Sequence, residues 1–379
     1  MKPKYYRLTR IREKSKEVGG CKYFVIFGER SNGKSFSVLE LILQRYVESG
    51  YKDEGAILRR MLEDFRGKRG ARTFENLVNE GRVKDITKGK FSKIVYKSSM
   101  WFLANFDETL NSDVLDKKPF CYAFSLASME HDKSASFPNV TTILFDEFIS
   151  RNGYLEDEFV LFTNTLSTII RLRENVEIYM CGNSINPYNP YFGEMGLTRA
   201  KRMKPGDIDI YSYGNSKLKV AVEFADGIGK NKKSNVYFAF DNPKLNMITG
   251  EGNTWEIGIY PHLPYKYKFE DILFIYYIKF EGETLQCEII RDDEHKCVYT
   301  YIHKKTTPIR KEQETVIYSL EFNPSPKYRR RINMPVTKLE EKIVWFFKLD
   351  KVFYQDNMIG EIVRNYLMAC GFPVKWNKV

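Results

Sequence analysis

Eight consecutive residues near the start of the chain have the types and spacing of a phosphate-binding loop. Residues 28–35 read GERSNGKS and fit the pattern G-x-x-x-x-G-K-[ST]. An apolar run that predicts a buried strand precedes them, and an apolar-periodic helix is predicted to follow. In such a loop, backbone N–H groups and the helix dipole bind phosphates, the lysine reaches the β- and γ-phosphates, and the hydroxyl binds Mg²⁺. The residues expected to bind the nucleotide are Gly28, Arg30, Ser31, Asn32, Gly33, Lys34 and Ser35.

A second apolar run ends in an acidic pair. Residues 141–147 read TTILFDE, which predicts a strand with Asp146 at its carboxyl end and Glu147 directly after it. Asp146 can hold Mg²⁺ together with Ser35, and Glu147 can orient and polarise the attacking water. A strand that ends in an acidic turn is common by itself. Its occurrence with the phosphate loop in one α/β domain predicts an ATPase site that uses ATP and Mg²⁺.

A third apolar run, residues 176–183 with the sequence VEIYMCGN, ends in Asn183. In motor ATPases a Ser, Thr or Asn at this position senses the γ-phosphate. We therefore expect Asn183 to belong to the nucleotide site. A polar residue that merely terminates a strand is the simpler alternative, and the run alone does not decide between the two.

The organisation along the chain predicts three domains. Strand and helix patterns alternate up to about residue 200, which predicts an α/β domain with a mostly parallel sheet over residues 1–200. Residues 201–265 are rich in Gly, Lys, Asn and Asp, with short strand-like pieces, and are expected to form a small linker domain. From 266 to 379, three antiparallel strands joined by tight turns and then two apolar helices predict an α+β domain.

The charge of the chain favours a polyanionic partner. The 379 residues carry a formal net charge of +11, which suits nucleic acid or an acidic membrane surface, although a solvated basic surface is the simpler alternative. No stretch approaches the roughly 18 uninterrupted apolar residues of a membrane span, and the basic N-terminus lacks the apolar core of a secretory signal. Residues 62–80 predict a basic helix in which Arg66, Lys68, Arg69 and Arg72 are candidate contacts to nucleic-acid phosphates, and a solvated face explains each of these four residues equally well.

The cysteine pattern is typical of reduced thiols in a cytosol. The six cysteines are scattered and contain no Cys-x-x-Cys pair. Cys287, His295, Cys297 and His303 are close enough in sequence to suggest zinc. Their irregular spacing across a strand–turn–strand pattern disfavours a metal site.

The residues around these motifs resemble the DNA-packaging motor ATPases of small Picovirinae-type tailed phages, which are relatives of the large terminase subunits. The resemblance rests on Arg30 inside the loop, on FPNVTTILFDEFI at 137–149, on RLRENV at 171–176 and on GNSINPYNPYF at 182–192. It is dense over roughly residues 20–200. Beyond them, only the strand pattern around 272–302 is similar.

The resemblance implies an ASCE-type P-loop ATPase domain in a homo-oligomeric ring, expected to be a pentamer, at the portal vertex of an empty capsid. Each ATP would lie between neighbouring subunits. Arg171 matches the family's arginine finger, and Lys133 matches a lysine that also acts on the neighbour's nucleotide. The implied activity is ATP-driven translocation of double-stranded viral DNA into the preformed capsid. The motor would work in the host cytoplasm, bind the portal vertex transiently and be absent from the mature virion.

The resemblance also implies a C-terminal domain similar to a ribonuclease-H-like nuclease that has lost its activity. A working nuclease of that type needs acidic residues that converge on two metal ions. The strand ILFIYYIKF at 272–280 carries no carboxylate where one is expected. Residues 266–379 are therefore expected to be non-catalytic and to dock the motor to the portal, the capsid or an RNA scaffold, and the sequence does not choose among these.

Three alternatives remain open from the sequence. A helicase-type, nucleic-acid-dependent ATPase shares the loop and the acidic pair, but would track single strands through stacking aromatic residues. A non-hydrolysing DNA-binding adaptor with a relic loop is disfavoured because Lys34, Ser35, Asp146 and Glu147 are all present. A membrane-surface ATPase is favoured only by the net charge.

Overall fold

The computed structural model describes residues 5–30, 32–128, 136–150, 153–184, 186–214, 216–226, 260–263 and 265–372. These residues form two compact units. The first contains the described residues from 5 to 150 and from 155 to 226, and the second contains 153–154 and those from 260 onward. Some predictions of the sequence fall outside the described residues, namely those for Ser31, Lys133 and residues 227–259.

The described part of the first unit contains a ten-stranded sheet. Along the sheet the order is β3-β4-β6-β2-β7-β8-β1-β10-β9, and β5 pairs with β4. The strands are β1 Tyr23–Gly28, β2 Glu54–Arg59, β3 Lys93–Lys97, β4 Met100–Asp107, β5 Ser112–Leu115, β6 Cys121–Ser125, β7 Val140–Asp146, β8 Glu177–Asn183, β9 Ile208–Ser212 and β10 Lys219–Ala225.

The centre of this sheet is parallel, as the alternating pattern predicts. The strands β6, β2, β7, β8, β1 and β10 are neighbours in that order and run in the same direction. Every residue of β7 is buried, and so are five of the six residues of β1. Parallel strands are covered on both faces, which is why these strands read as continuous apolar runs rather than as alternating patterns.

The helices of the first unit connect and cover these strands. In α2 the buried residues Val38, Leu41, Ile42 and Tyr46 recur at the helical period and join the core beside the sheet. The described helices are α1 Thr9–Glu17, α2 Lys34–Glu48, α3 Lys68–Arg72, α4 Glu75–Asn79, α5 Arg82–Ile86, α6 Glu158–Ile170 and α7 Pro190–Glu194.

The basic helix predicted over residues 62–80 is broken into pieces. A 3₁₀ turn at Leu62–Phe65 precedes α3 and α4, and neither of these helices exceeds five residues. Gly67 lies between the first two pieces with a φ of +55°, a left-handed conformation that a continuous helix does not contain. The prediction of one helix was therefore wrong, because the apolar period was read across this glycine.

The separate linker domain predicted over residues 201–265 is not what its described part forms. Within this range β10 pairs in parallel with β1, from Tyr23 opposite Val220 to Gly28 opposite Ala225, and β9 pairs antiparallel with β10. Six of the seven residues of β10 are buried. The boundary at residue 200 was therefore wrong, because the polar composition around β10 concealed a strand of the main sheet.

The second unit contains a six-stranded sheet in the order β15-β14-β11-β12-β13-β16. The predicted antiparallel meander is present as β11, β12 and β13, with Glu281 and Gly282 both at positive φ in the first tight turn. The strands β14 and β16 pair in parallel with β11 and β13. The elements are β11 Ile272–Phe280, β12 Glu283–Asp292, β13 Cys297–Lys304, β14 Ile317–Ser319, β15 Tyr328–Arg329, α8 Lys338–Lys348, β16 Val352–Tyr354 and α9 Asn357–Ala369.

Both predicted C-terminal helices, α8 and α9, are therefore present. Each begins with a capped first turn, since Thr337 accepts a hydrogen bond from the Glu340 N–H and Asp356 accepts one from the Ile359 N–H. Across the part of the chain that the structure describes, no helix is long and apolar enough to cross a bilayer.

Candidate active site

Three neighbouring strands bring the predicted nucleotide residues to one edge of the sheet. The register pairs Gly28 of β1 with Asn183 of β8, and Cys181 of β8 with Asp146 of β7. Because the strands are parallel, their carboxyl ends meet at the same edge. The start of the phosphate loop, Asn183 and the acidic pair therefore lie side by side, with β8 between the loop strand and the acidic strand.

The backbone of the loop turns into α2 at Gly33. This residue caps the helix with a φ of +91°, and a Cβ added there would lie 2.8 Å from the Cβ of Tyr5. Both the conformation and the close approach require glycine at this position. The helix begins at Lys34, so its positive end faces the loop, as an anion-binding helix terminus requires.

The ammonium of Lys34 lies inside the loop. Its side chain donates to the carbonyl oxygens of Gly28 at 3.2 Å and Glu29 at 2.6 Å, and to Oδ1 of Asn32 at 3.0 Å. Lys34 is only 5% exposed. Burial lowers its pKa to about 8, because the charged form loses hydration, while the nearby Asp146 carboxylate opposes this shift. Lys34 thus remains mainly an ammonium at neutral pH.

The hydroxyl of Ser35 donates to Oδ1 of Asp146 at 2.6 Å. This hydrogen bond joins the loop to the end of β7. Hydroxyl and carboxylate oxygens are the hard donors that Mg²⁺ binds next to nucleotide phosphates. The two residues predicted for Mg²⁺ are therefore together, and their donor chemistry fits the ion.

Glu147 follows β7 directly and is exposed at this edge of the sheet. Its φ is +60°, the left-handed region that non-glycine residues seldom occupy. Such a conformation costs about 1–3 kcal/mol and persists only where the surroundings enforce it. The backbone thus turns sharply after Asp146.

Two arginines at the end of β2 belong to the same edge, and the sequence reasoning missed both. Arg59 pairs with Oδ2 of Asp146 at 2.7 Å. Burial lowers the pKa of Arg59, but the carboxylates of Asp146 and Glu147 outweigh it, so the pKa is raised overall. Arg60 forms an ion pair with Glu158 of α6 at 2.6 Å. The sequence signal that could have indicated them is the pair of arginines that ends GAILRR, residues 55–60. Because β2 is parallel to β7, the two strands end at the same edge of the sheet.

Arg171 lies at the opposite end of the strands, where β7 and β8 begin. It caps the C-terminus of α6 with a φ of +54° and is exposed. This helix connects the carboxyl end of β7 to the amino end of β8, and nearby Arg173 donates to the Val140 carbonyl at the start of β7. The seven residues of β7 span about 20 Å at roughly 3.3 Å each. Arg171 is therefore remote from the Asp146 of its own chain.

Five further predicted residues are exposed. Arg30 is exposed within the loop. All four DNA candidates are exposed on the segment that follows β2, where Arg66 lies 3.4 Å from Glu63 and Arg72 lies 3.9 Å from Glu75. The candidates are Arg66, Lys68, Arg69 and Arg72.

The segment before α1 covers the loop, which the sequence did not indicate. The Tyr6 N–H donates to the Asn32 carbonyl at 2.7 Å, and the Tyr6 carbonyl accepts from the Ser37 hydroxyl. The ring of Tyr5 packs against Phe36 at 5.4 Å between centroids. The loop is therefore held from its outer side by residues of the same chain.

Comparison with protein families gives a match over residues 20–205, to the family described as Podovirus DNA encapsidation protein (Gp16). This segment is similar to that family over just under half of the chain. It contains the loop, the acidic pair, Arg171 and Asn183.

Curated relatives match a shorter segment. The DNA packaging protein of Bacillus phage B103 is 37% identical over 86 residues, which are 22% of this chain and 27% of that protein. The DNA packaging protein of Bacillus phage phi29 is 36% identical over 81 residues, 21% of this chain and 24% of that protein. The matched segment thus spans about a quarter of the length of these relatives.

Two solved structures share the fold over nearly the whole chain. The structure described as the Phi-28 gp11 DNA packaging motor has a TM-score of 0.51 at 17% identity and covers 97% of this chain and 98% of that one. The structure described as the bacteriophage Phi-29 viral genome packaging motor assembly has a TM-score of 0.54 at 18% identity and covers 97% and 100%. At these identities the likeness concerns the fold alone.

Proposed function

We propose that this chain hydrolyses ATP to drive double-stranded viral DNA into a preformed capsid. The observation that carries the proposal is the 2.6 Å hydrogen bond between Ser35 and Asp146, which joins a phosphate loop to an acidic pair. Residues 20–205 match a family described as DNA encapsidation proteins, and the curated relatives are described as DNA packaging proteins. These matches support DNA packaging as the process that hydrolysis drives. β8, which lies between the loop strand and the acidic strand, supports the ASCE-type assignment.

In this proposal the loop binds the triphosphate of ATP. The Lys34 ammonium exchanges its carbonyl partners for β- and γ-phosphate oxygens, which are stronger acceptors because they are charged. Ser35 and Asp146 hold Mg²⁺, the former through its hydroxyl and the latter through its carboxylate. When bound, the ion supplies positive charge that neutralises the phosphate oxygens.

Glu147 and Asn183 act on the reaction itself. The exposed carboxylate of Glu147, at the end of a strand with a fixed backbone turn, orients the attacking water and accepts its proton. Asn183 lies beside Gly28, where the loop begins, so its amide contacts the γ-phosphate and responds to its loss. Arg30 contributes a further cation from within the loop.

Arg171 acts on the nucleotide of a neighbouring subunit. Its distance from the Asp146 of its own chain, most of the length of β7, favours action in trans, and its exposure leaves it accessible to a neighbour. An arginine contributed in this way neutralises charge on the transferred phosphoryl group. The proposal therefore requires a homo-oligomeric ring, a pentamer by the resemblance, in which Lys133 also reaches the neighbour's nucleotide.

DNA is bound through its phosphates, because a packaging motor must move DNA of any sequence. The exposed cations Arg66, Lys68, Arg69 and Arg72 follow β2 in the chain, and the Gly70 carbonyl among them accepts a hydrogen bond from the Trp101 indole. A change at the nucleotide can therefore reach them through a short piece of chain that starts at Arg59 and Arg60.

The second unit is proposed to be a ribonuclease-H-like docking domain without nuclease activity. An antiparallel meander flanked by strands parallel to its first member supports that fold. Its buried carboxylates are separately engaged, with Glu288 hydrogen-bonded by Tyr267, Glu340 paired with Arg329 and Glu361 paired with Arg364. This unit would dock to the portal, the capsid or an RNA scaffold, which places the motor transiently at the portal vertex in the host cytoplasm and outside the mature virion.

The experiment that tests this function is a comparison of stimulants of ATP hydrolysis by the purified chain. Duplex DNA together with empty capsids is expected to raise turnover, and single-stranded DNA is expected to have little effect. Stimulation by single strands alone would instead favour a helicase-type ATPase. No hydrolysis under any of these conditions would favour a non-hydrolysing adaptor.

A further inference from the structure

Arg60 connects β2 to the backbone around Glu147. Its guanidinium donates two hydrogen bonds to the carboxylate of Glu158 and two to main-chain carbonyls. The side chain is only 13% exposed. A planar guanidinium with several fixed partners has one orientation, so its position is well defined.

Glu158 anchors this guanidinium. Its two oxygens accept from Nε of Arg60 at 2.6 Å and from Nη2 at 2.7 Å, a bidentate geometry. The same carboxylate accepts from the Tyr191 hydroxyl at 2.6 Å and from the Leu155 N–H at 2.8 Å. Its side chain has no solvent exposure, so each oxygen is held by two donors inside the protein.

The remaining donors of Arg60 reach the residues that turn the chain after β7. Nη1 donates to the Glu147 carbonyl at 3.3 Å, and Nη2 donates to the Phe148 carbonyl at 3.1 Å. The first of these carbonyls belongs to the residue with the left-handed conformation, and the second belongs to the residue that follows it. Arg60 thus holds in place the turn that sets the direction of the Glu147 side chain.

We propose that Arg60, held by Glu158, is the positioning residue of Glu147. It fixes the direction of the carboxylate without touching the nucleotide. The inference rests on the proposed role of Glu147 as the group that orients the attacking water. A small displacement of such a group from the reacting atoms can cost about 10²-fold in rate.

The test uses Arg60→Lys alone and combined with Glu147→Gln. A lysine keeps the positive charge beside Glu158. Its single ammonium cannot, however, donate to both carboxylate oxygens and to both main-chain carbonyls at once. We expect unchanged affinity for a fluorescent ADP analogue and a kcat lowered by about 10²-fold. In the Glu147→Gln background the same substitution is expected to cause no further loss, because the carboxylate that it positions is already absent.

Arg45→Lys is the matched control. Arg45 also belongs to an ion pair, with Glu177 at 2.5 Å, which is more exposed than the pair of Arg60 and Glu158, and it also donates to Thr142. This pair lies near the amino ends of β7 and β8, away from the site. We expect the control to lower the midpoint of thermal unfolding as Arg60→Lys does, while kcat stays at the wild-type value. Glu158→Gln, which keeps the shape of the side chain, supplies a second variant and is expected to lower kcat without changing ADP affinity.

The outcomes separate this inference from the proposed function. A wild-type kcat in Arg60→Lys would overturn the positioning role. An equal loss from Arg60→Lys with and without Glu147→Gln would also overturn it, since the arginine would then act independently of Glu147. Full turnover in Glu147→Gln alone would instead refute the proposed role of Glu147, on which the inference rests, and absence of hydrolysis in the unsubstituted protein would refute the proposed function.

Discussion

Ser35 and Asp146 are 111 residues apart in the chain, and the Ser35 hydroxyl donates to the Asp146 carboxylate at 2.6 Å. The fold itself therefore brings the loop and the acidic strand together. Asp146 also accepts from Arg59, so both of its oxygens are oriented. Preorganised donors and acceptors need little rearrangement when a charged ligand binds, which favours catalysis.

Lys34→Ala is expected to abolish nucleotide binding while the fold persists. The substitution removes one ammonium, whereas the loop backbone is shaped by Gly33 and by the covering segment at Tyr6. Binding of fluorescent ADP and a thermal melt measure the two effects. Lys52→Ala, which removes an exposed lysine beyond α2, is the control and should bind normally. Hydrolysis retained by Lys34→Ala would contradict the assigned phosphate site.

Two substitutions of Glu147 separate its chemistry from its backbone strain. Both Glu147→Gln and Glu147→Gly should bind ATP and lose turnover by about 10²–10⁴-fold, the contribution of a positioned base. Only the glycine variant relieves the left-handed strain, so it should be more stable than Glu147→Gln by about 0.5–1 kcal/mol. Chemical denaturation and steady-state ATPase assays check the pair. Equal stability of the two variants would contradict the strain argument, and failure to bind ATP would contradict the division of labour with Lys34.

Nucleotide affinity is expected to fall as the pH rises through about 8, the pKa of Lys34. Below this pH the free protein already carries the ammonium, so binding takes up no proton. Above it, the amine must be protonated when phosphate binds, and the affinity can fall up to about tenfold for each pH unit. Calorimetry in two buffers should show proton uptake at pH values above 8.

Lys34→Arg is the control for this pH dependence. A guanidinium does not titrate in this range, so the affinity of that variant, whatever its size, should not change between neutral and mildly alkaline pH. A flat profile in the unsubstituted protein would show that the buried amine keeps its ordinary pKa.

The elements that position the site were predictable where the local pattern decides the structure. β1, β7 and β8 are buried on both faces, so they read as apolar runs, and their carboxyl ends had to meet once the sheet was parallel. The hydrogen bond between Ser35 and Asp146 follows from that arrangement.

Features that depend on non-local pairing were not predictable. β10 pairs with β1 across nearly two hundred residues of chain, and nothing in its polar flanks indicates this partner. The ion pairs of Arg59 and Arg60 depend on β2 lying beside β7. The predicted helix at 62–80 failed for a local reason, since Gly67 adopts a conformation that periodicity does not report.

DNA binding is expected to weaken steeply with salt and to be insensitive to sequence. Each neutralised phosphate adds about 0.9 to the steepness of the slope of log K against log salt on duplex DNA. Replacing Arg66, Lys68, Arg69 and Arg72 by Gln should make this slope shallower by about one for each cation that grips a phosphate. Lys84→Gln with Lys88→Gln, exposed cations at and after α5, is the control and should leave the slope unchanged. An unaltered slope in the variant with all four substitutions would show that other residues bind the DNA phosphates.

The most direct test of the account concerns Arg171, which lies at the edge of the sheet opposite its own Asp146. Arg171→Ala should bind ATP nearly normally, yet the assembled rings should hydrolyse it about 10³–10⁵-fold more slowly if the arginine neutralises phosphoryl charge. The decisive measurement is the ATPase activity of rings mixed from Arg171→Ala and Glu147→Gln subunits. Action in trans predicts partial recovery, because some interfaces then pair an intact Glu147 with an intact Arg171. No recovery in rings shown to contain both subunits would contradict the interfacial site.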